Sequence, residues 1–448
     1  MQRLKRSLQQ CARKWRSHGD CAMKLGDSKS RTFFAFGEAS MATVDQLSGG
    51  IYLAALMVYL GMSDADIGIV LSVGSLAALF QLLTLRFGFL RQKKKLITCL
   101  MGFQRVWMAL FFVIPFFPIS QTAKVSILVV GYSLSRILIT LGGPATSTWI
   151  SELVPIEIRG RYFGTKDAIS MAVMSLVLLV SGMIIDRFEG ELRTTAFAIL
   201  AVMVLVLSLC GLFLYWKARD TCAAAAKAKP KTMGMLAQIK HCFAQASFRK
   251  IFFLDCLWML TFYIAAPYNA GYSIKQLAIP FTFLSVVGFV GNIARIFIAR
   301  KMGKLADRHG MARMLRYAVG IFGIHYLIWA LMVPSNAQPM YLVMQALSSL
   351  AWSFIGVGQF GIKLDLMPEE ERPMQFAVSA ALSGVVGFGM SYAGGLLLAA
   401  LEKTPIVLIG VQIFPQQVLN LLGAICSVGM CAYLWFLLEK PSKRKNTL

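Results

Sequence analysis

The stretch "GKLADRHGMARML", residues 303–315, decides how the chain is to be read. Lys304, Asp307, Arg308, His309 and Arg313 crowd together there, while the sequence on either side is almost entirely Ile, Phe, Val, Leu and Gly. Across 448 residues, 57% are hydrophobic and 15% charged, against about half and a quarter in a soluble domain. The apolar residues fall in blocks of about 20, the length that crosses a hydrocarbon layer about 30 Å thick as a helix. Backbone polar groups in lipid must be satisfied within the segment, so these blocks read as membrane-spanning helices. The polar stretch is then a connection between two of them.

Working outward from it, twelve spans are expected: 33–60, 66–87, 96–117, 124–150, 164–185, 194–216, 250–272, 278–300, 314–333, 339–365, 375–400 and 413–438. The connections beginning at 61, 118, 186, 273, 334 and 401 carry as basic residues only Lys124, Arg187, Arg193, Lys275 and Lys403. The alternate set carries nearly all the rest, including "RQKKK" at 91–95 and "PSKRKNTL" at the end. The positive-inside bias puts both termini in the cytoplasm, which requires an even number of spans. We expect a multi-pass protein of a bacterial-type plasma membrane.

The net charge of +24 would suggest nucleic acid if it lay on one soluble face. Here it is dispersed among short connections, and no basic, aromatic surface outside the membrane is large enough to bind nucleic acid. The nine cysteines are scattered and imply no disulfide framework. Neither CxxC nor HExxH occurs, so no metal or other cofactor is expected.

The expected organisation is a basic segment at 1–32, a six-helix bundle at 33–216, a linker at 217–249, a second bundle at 250–438 and a basic tail at 439–448. In the first segment Leu4, Leu8, Cys11 and Trp15 repeat at helical spacing among basic residues. That pattern fits an amphipathic helix on an anionic leaflet, and it fits a solvated basic tail equally well. The linker opens with "CAAAAKAKPKT" and continues as the amphipathic "MGMLAQIKHCFAQA". Leu153, Pro155, Glu157, Arg159 and Phe163 recur as Leu366, Pro368, Glu370, Arg372 and Phe376, each displaced by 213 residues. "LSV" at 71–73 recurs at 284–286 with the same displacement. The repeat argues for duplication into two pseudo-symmetric halves.

With these features assembled, residues 33–438 resemble the major facilitator superfamily. The opening stretch matches that family's loop motif G-x-x-x-D-R/K-x-G-x-x-R/K, with Gly303, Asp307, Arg308, Gly310 and Arg313 at its positions. "RFGFLRQKKKL" keeps the basic residues at the other usual place but lacks the Asp, and "GPATSTWISELVPIEIRG" at 143–160 resembles the family's fourth span and following loop. The resemblance implies an all-α fold of twelve transmembrane helices in two six-helix bundles, acting as a monomer on a small-molecule substrate. Asp307 can sit at a helix N-terminus, while Arg308 can approach Asp365 and the 91–95 cluster can approach Glu152. Together with Arg159 these residues would latch the cytoplasmic side of the two halves. The competing reading of the basic residues is orientation alone.

Ionisable residues inside spans are costly and mark paths or pairs. Glu38 and Asp45 lie seven residues apart on span 1, with Gln46, Gly49 and Gly50 beside them. Arg105 and Arg136 lie near mid-depth in spans 3 and 4, and Asp255 lies in the cytoplasmic third of span 7. Asp45 within reach of Arg136 would suit a proton-coupled site; the alternative is a buried pair that fixes packing. In the second half Tyr263, Tyr268, Asn269, Asn292, His325, Trp352 and Gln359 are the polar or aromatic candidates, His325 being expected to pack. Tyr132 stands where the family's proton antiporters commonly carry Arg, and span 5 has Gly182 but no Gly-Pro. Both departures weaken a drug-export reading. The expected function is secondary transport of a small polar solute by alternating access, coupled to protons or sodium, since no P-loop sequence appears. The rivals are an exporter of hydrophobic compounds and a non-transporting sensor or receptor; an enzyme is disfavoured.

Overall fold

The computed structural model describes residues 28–86, 94–154, 158–188, 190–219, 234–368, 371–403, 406–408 and 411–439. Eleven helices among them are long and apolar enough to cross a membrane. The remaining expected span is Lys94–Phe111, whose two leading lysines and Arg105 lower its apolarity. Twelve spans therefore form, and this even number brings residues 28 and 439 to one end. The basic connections share that end, here called the basic end; the other is the opposite end. The amphipathic pattern of the first segment and the basic tail lie outside the described residues.

Several exposed apolar rows show which faces meet lipid. On span 6, Arg193–Lys217, the residues Val202, Val206, Leu209, Phe213 and Trp216 are exposed at helical spacing. Leu421, Ile425 and Val428 do the same on span 12, Pro415–Tyr433. A water-soluble fold would bury such rows, whereas lipid accepts them. Each half also has a packed interior: Tyr52, Phe112, Tyr132 and Phe197 in the first, and Trp258, Phe322, Tyr326 and Phe354 in the second.

The halves meet where small residues let backbones approach, the usual way helices pack without a hydrophobic drive between them. A Cβ on Gly384 of span 11, Arg372–Lys403, would lie 2.2 Å from the Ser75 carbonyl of span 2, which begins as Asp64–Ala77. A Cβ on Gly182 of span 5, Arg159–Arg187, would lie 2.7 Å from the Phe281 carbonyl at the start of span 8, Phe281–His309.

Two spans are broken. Span 1 runs from 28 to 59 with a non-helical break at 48–50, after which the helix Ile51–Tyr59 begins. Span 7 consists of Ala246–Tyr263 and Ala266–Lys275, with Pro267 in the first turn of the second piece. Proline fits there because the first-turn N–H groups have no intrahelical acceptor.

The motif 303–313 differs from its reading as a connection. Residues 303–309 continue the helix of span 8, and Gly310 alone separates it from span 9, Met311–Leu331. Gly310 has φ +88°, which favours glycine because it has no Cβ. Gly303 therefore sits within a helix, and only Gly310 makes the turn. Polar composition marks the edge of the lipid, while Lys, Arg and Ala still propagate a helix. A second difference is a ribbon between spans 11 and 12, where Ile406–Leu408 pairs antiparallel with Val411–Ile413. The linker's amphipathic segment forms the helix Met235–Ala244.

Candidate solute-binding site and gate

Asp45 does not make its ion pair with Arg136. Its carboxylate is held side-on by Arg105 of span 3, whose Nε donates to Oδ1 at 3.0 Å and Nη2 to Oδ2 at 2.7 Å. Span 1 thus turns this face into the first half, and the bidentate pair ties it to span 3. Glu38 accepts from Tyr215 Oη of span 6 at 2.5 Å. Gln46 is exposed. The expected approach of Asp45 to Arg136 failed because both arginines lie at similar depth, and azimuth around span 1 decides between them.

Arg136 sits elsewhere, on Gln121–Leu153, which is span 4. Its Nε and Nη2 are buried with no hydrogen-bond partner. Its Cζ lies 5.0 Å from the centre of the Tyr132 ring, a cation–π contact. A Cβ on Gly49 would lie 3.0 Å from Nη2, and one on Gly74 would lie 3.3 Å from Cδ. The guanidinium thus lies against the break in span 1 and against span 2. Tyr263 of span 7, from the other half, is within electrostatic reach of it and beside Ser75.

The remaining candidates of the second half are mostly satisfied internally. Asp255 pairs with Lys363 at 2.8 Å and accepts from Ser379 Oγ at 2.6 Å, tying spans 7, 10 and 11. Asn269 and Asn420 exchange amide hydrogen bonds at 3.2 and 2.8 Å. Trp352 belongs to an aromatic cluster with Trp258, Phe262 and Phe322. His325 stacks on Phe322 with ring centres 4.8 Å apart, as a packed residue should. Two candidates stand apart: Asn292 donates to Ser175 Oγ across the halves at 2.8 Å, and Gln359 Nε2 is buried without a partner.

The opposite end carries a set of contacts between the halves that the sequence reading missed. Asp64, in the first turn of span 2, is buried. Its Oδ1 lies 2.6 Å from Lys275 Nζ, and its Oδ2 accepts from Gln276 and Gln416, each at 2.8 Å. One carboxylate of the first half thereby holds spans 7 and 12 of the second. Asp186 at the end of span 5 accepts from the backbone N–H groups of Phe281, at 2.9 Å, and Thr282, at 2.5 Å. Those are orphan donors at the N-terminus of span 8, where an anion is favoured. Tyr52 of span 1 contacts Ser285 Oγ at 2.8 Å. Tyr268, a sequence candidate, lies over Gly68 and donates to the Ser391 carbonyl. The signal for Asp64 was "SDAD" at 63–66, read as a connection rather than as a helix start.

At the basic end the expected pairing of Arg308 with Asp365 does not form. Arg308 and Asp365 are both exposed, and no ion pair joins them among the described residues. Glu152 is exposed. The side chains of Gly303, Asp307 and Arg159, and all of 91–93, lie outside the described residues. Lys95 donates to the carbonyls of Trp216 and Ala218 at 2.7 and 2.8 Å. Arg372 donates to those of Leu364 and Met367 at 2.8 and 3.1 Å. Both therefore cap the ends of spans 6 and 10, where cations offset unpaired carbonyls. Arg372 gives the repeated arginine of 159 and 372 a structural purpose in the second half.

A model of the Major Facilitator Superfamily matches residues 34–391. No curated protein matches the chain in sequence. Among solved structures, a mutant form of the nucleoside transporter NupG is similar at TM-score 0.67 and 14% identity, covering 92% of this chain and 99% of its own. A bacterial homologue of the iron transporter ferroportin, in an inward-facing state, is similar at TM-score 0.62 and 14% identity, with 91% and 98% covered. The D-xylose-proton symporter is similar at TM-score 0.57 and 14% identity, with 91% and 96% covered. At such identities the likeness is one of fold, and it agrees with the helices, the repeat and the motif at 303–313. The chain is an integral, multi-pass membrane protein that belongs to the Major Facilitator Superfamily.

Proposed function

We propose that the protein is a secondary transporter that moves a small polar solute by alternating access, driven by a proton or sodium gradient. The observation that carries this reading is the Asp64 gate. It joins the two halves at one end through polar contacts that exchange readily with water, and a permanently fused pair of bundles has no need of such a closure. The polar contacts between the halves found among the described residues lie at the opposite end or at mid-depth. With the termini in the cytoplasm, as the basic connections imply, this arrangement is inward-facing. Asp45, held by Arg105, acts in this reading as a packing charge; removing either partner of such a buried pair costs about 3–5 kcal/mol.

Uptake into proteoliposomes of a panel of labelled polar solutes, under imposed proton or sodium gradients, tests the proposal. Accumulation above equilibrium that collapses with the gradient is expected for at least one solute. Leak-level fluxes throughout, from protein shown to be folded, would leave the sensor reading in its place.

A further inference from the structure

The two arginines near mid-depth in the first half present the same edge to different surroundings. In Arg105 the Nε and Nη2 edge is filled by the two oxygens of Asp45. In Arg136 the same two atoms are buried and unpartnered. We propose that the missing partner of Arg136 is a carboxylate on the transported solute, so that the substrate class is a small organic carboxylate bound side-on by Nε and Nη2. This rests on the transporter reading above and narrows it.

The acids of span 1 cannot supply that partner in this state. Asp45 is occupied by Arg105, and Glu38 accepts from Tyr215. A buried cation without a counter-charge is expensive inside a membrane protein, and a ligand carboxylate removes that cost on binding. The guanidinium edge offers two parallel donors, which match two coplanar oxygens of one carboxylate better than a neutral hydroxyl. The protein itself demonstrates the fit at Arg105.

The surroundings point the same way. Gly49, beside Nη2, lies in the break of span 1, and the nine-residue helix Ile51–Tyr59 starts at Gly50 with no side-chain cap. Its positive end therefore adds to the field at the guanidinium, as half-helix ends do at anionic substrate groups. Ser48, in the same break, is fully buried with a hydroxyl that has no partner. Tyr263 comes from the other half, so relative motion of the halves uncovers the edge. The net charge of +24, concentrated at the basic end, raises the local concentration of anions where that end opens to water.

The test uses the full chain purified in detergent and pairs of probes that differ at the acid group: glucuronate against glucose, lactate against propane-1,2-diol, and nicotinate against nicotinamide, with glucose 6-phosphate as a phosphate arm. At least one carboxylate should raise the melting temperature while its neutral partner does not. Arg136→Lys should weaken that binding about 10–100-fold, the loss of one charged hydrogen bond and its geometry, and Arg136→Gln should abolish it. A second measurement needs no variant: the same carboxylate should slow phenylglyoxal modification of Arg136, read by mass spectrometry, and its neutral partner should not. Equal stabilisation by both members of a pair overturns the proposal. So does stabilisation by the phosphate ester alone, by no carboxylate, or undiminished binding in a folded Arg136→Gln protein. Counterflow in proteoliposomes separates this proposal from the reading beneath it. Carboxylate binding without counterflow sinks the transporter reading and leaves the site standing. Counterflow of neutral solutes only, with no carboxylate binding, sinks the site and leaves the transporter.

Discussion

The two ends of the molecule are held by different kinds of contact. At the opposite end the polar contacts run between halves: Asp64 to Lys275, Gln276 and Gln416, and Asp186 to the start of span 8. At the basic end those described stay within a half. There His241 and Gln245 of the linker segment bond to Glu371, His241 at 2.9 Å, and Lys95 and Arg372 cap helix ends. One end is therefore joined between the halves by polar groups, while at the other the halves meet through apolar packing, Leu82 of span 2 lying in a cluster with Cys242, Phe248 and Val378.

Gly68→Ala should give the largest departure from this asymmetry. A Cβ there would lie 2.1 Å from the Tyr268 ring, so the ring or the halves must shift. Overpacking of this kind costs about 1–3 kcal/mol, charged here to the closed arrangement of the opposite end. Spin-label distances across that end should lengthen, and unchanged distances would mean that Tyr268 packs there without closing anything.

Asp64→Asn should act next. It keeps an acceptor for Gln276 and Gln416 but removes the charge facing Lys275. We expect the ratio of closed to open at that end to fall about tenfold, or about 1.4 kcal/mol. Labelling of a single cysteine introduced at buried position 273, in the same outer piece of span 7, with a reagent added from that side, measures it. An unaltered rate would assign the closure to backbone packing alone.

A pH titration separates the ends further. Hydrogen bonds from His241, Gln245 and Gln375 hold the Glu371 carboxyl below its ordinary pKa. A lowered pKa makes docking of Met235–Ala244 favourable above the usual carboxylate range and lost as pH falls through the lowered value. Hydrogen exchange at 235–244, corrected for its intrinsic rate, should rise as pH falls below the ordinary carboxylate range, with no matching rise at Ile51–Tyr59. In Glu371→Gln the protection should already be reduced at neutral pH; equal protection in that variant would remove Glu371 from the docking.

Arg308→Gln should have the smallest effect. The side chain is exposed, so thermal stability should stay within about 0.5 kcal/mol. Its influence belongs to the state in which the basic end closes, so the rate of exchange across the membrane should change while the melting temperature does not. A clear loss of stability would show that Arg308 already holds this state together.

Much of the fold was legible because lipid contact leaves a long, one-signed signal. Rows such as Val202, Val206, Leu209 and Phe213 must be apolar whatever they touch, and the basic connections count independently of packing. The site was only partly legible. Glu38, Asp45, Arg105 and Arg136 stand out because charge is rare in spans, but which of them meet depends on rotation about each helix axis. Asp45 had two arginines at similar depth, and no spacing rule separates them. Asp64 escaped notice for the converse reason: it sits at the water edge, where an acid is cheap, and its worth arises only from residues more than 200 positions away in the chain, at 275, 276 and 416. Asp365 and Arg308 were paired on the strength of the repeat, yet both belong to the second half, and a duplicated sequence fixes which helices pack together without fixing where the exposed side chains at their ends point.

The breaks in spans 1 and 7 have a mechanical consequence. Lys275, Tyr268 and Gln276 belong to or adjoin the short outer piece of span 7, and Tyr52 belongs to the outer piece of span 1. Each piece spans about 14–15 Å at 1.5 Å per residue and is joined to the rest of its span through a joint with no continuous helical ladder. Such a piece can swivel like a door leaf while the frame behind it stays still. In the alternating-access reading proposed above, unlocking need not wait for both bundles to rock: a tilt of the short piece would part Lys275 and Tyr268 from their partners, and the large motion can follow. Opening would then proceed in two stages with separate barriers, a fast one for the leaf and a slow one for the frame.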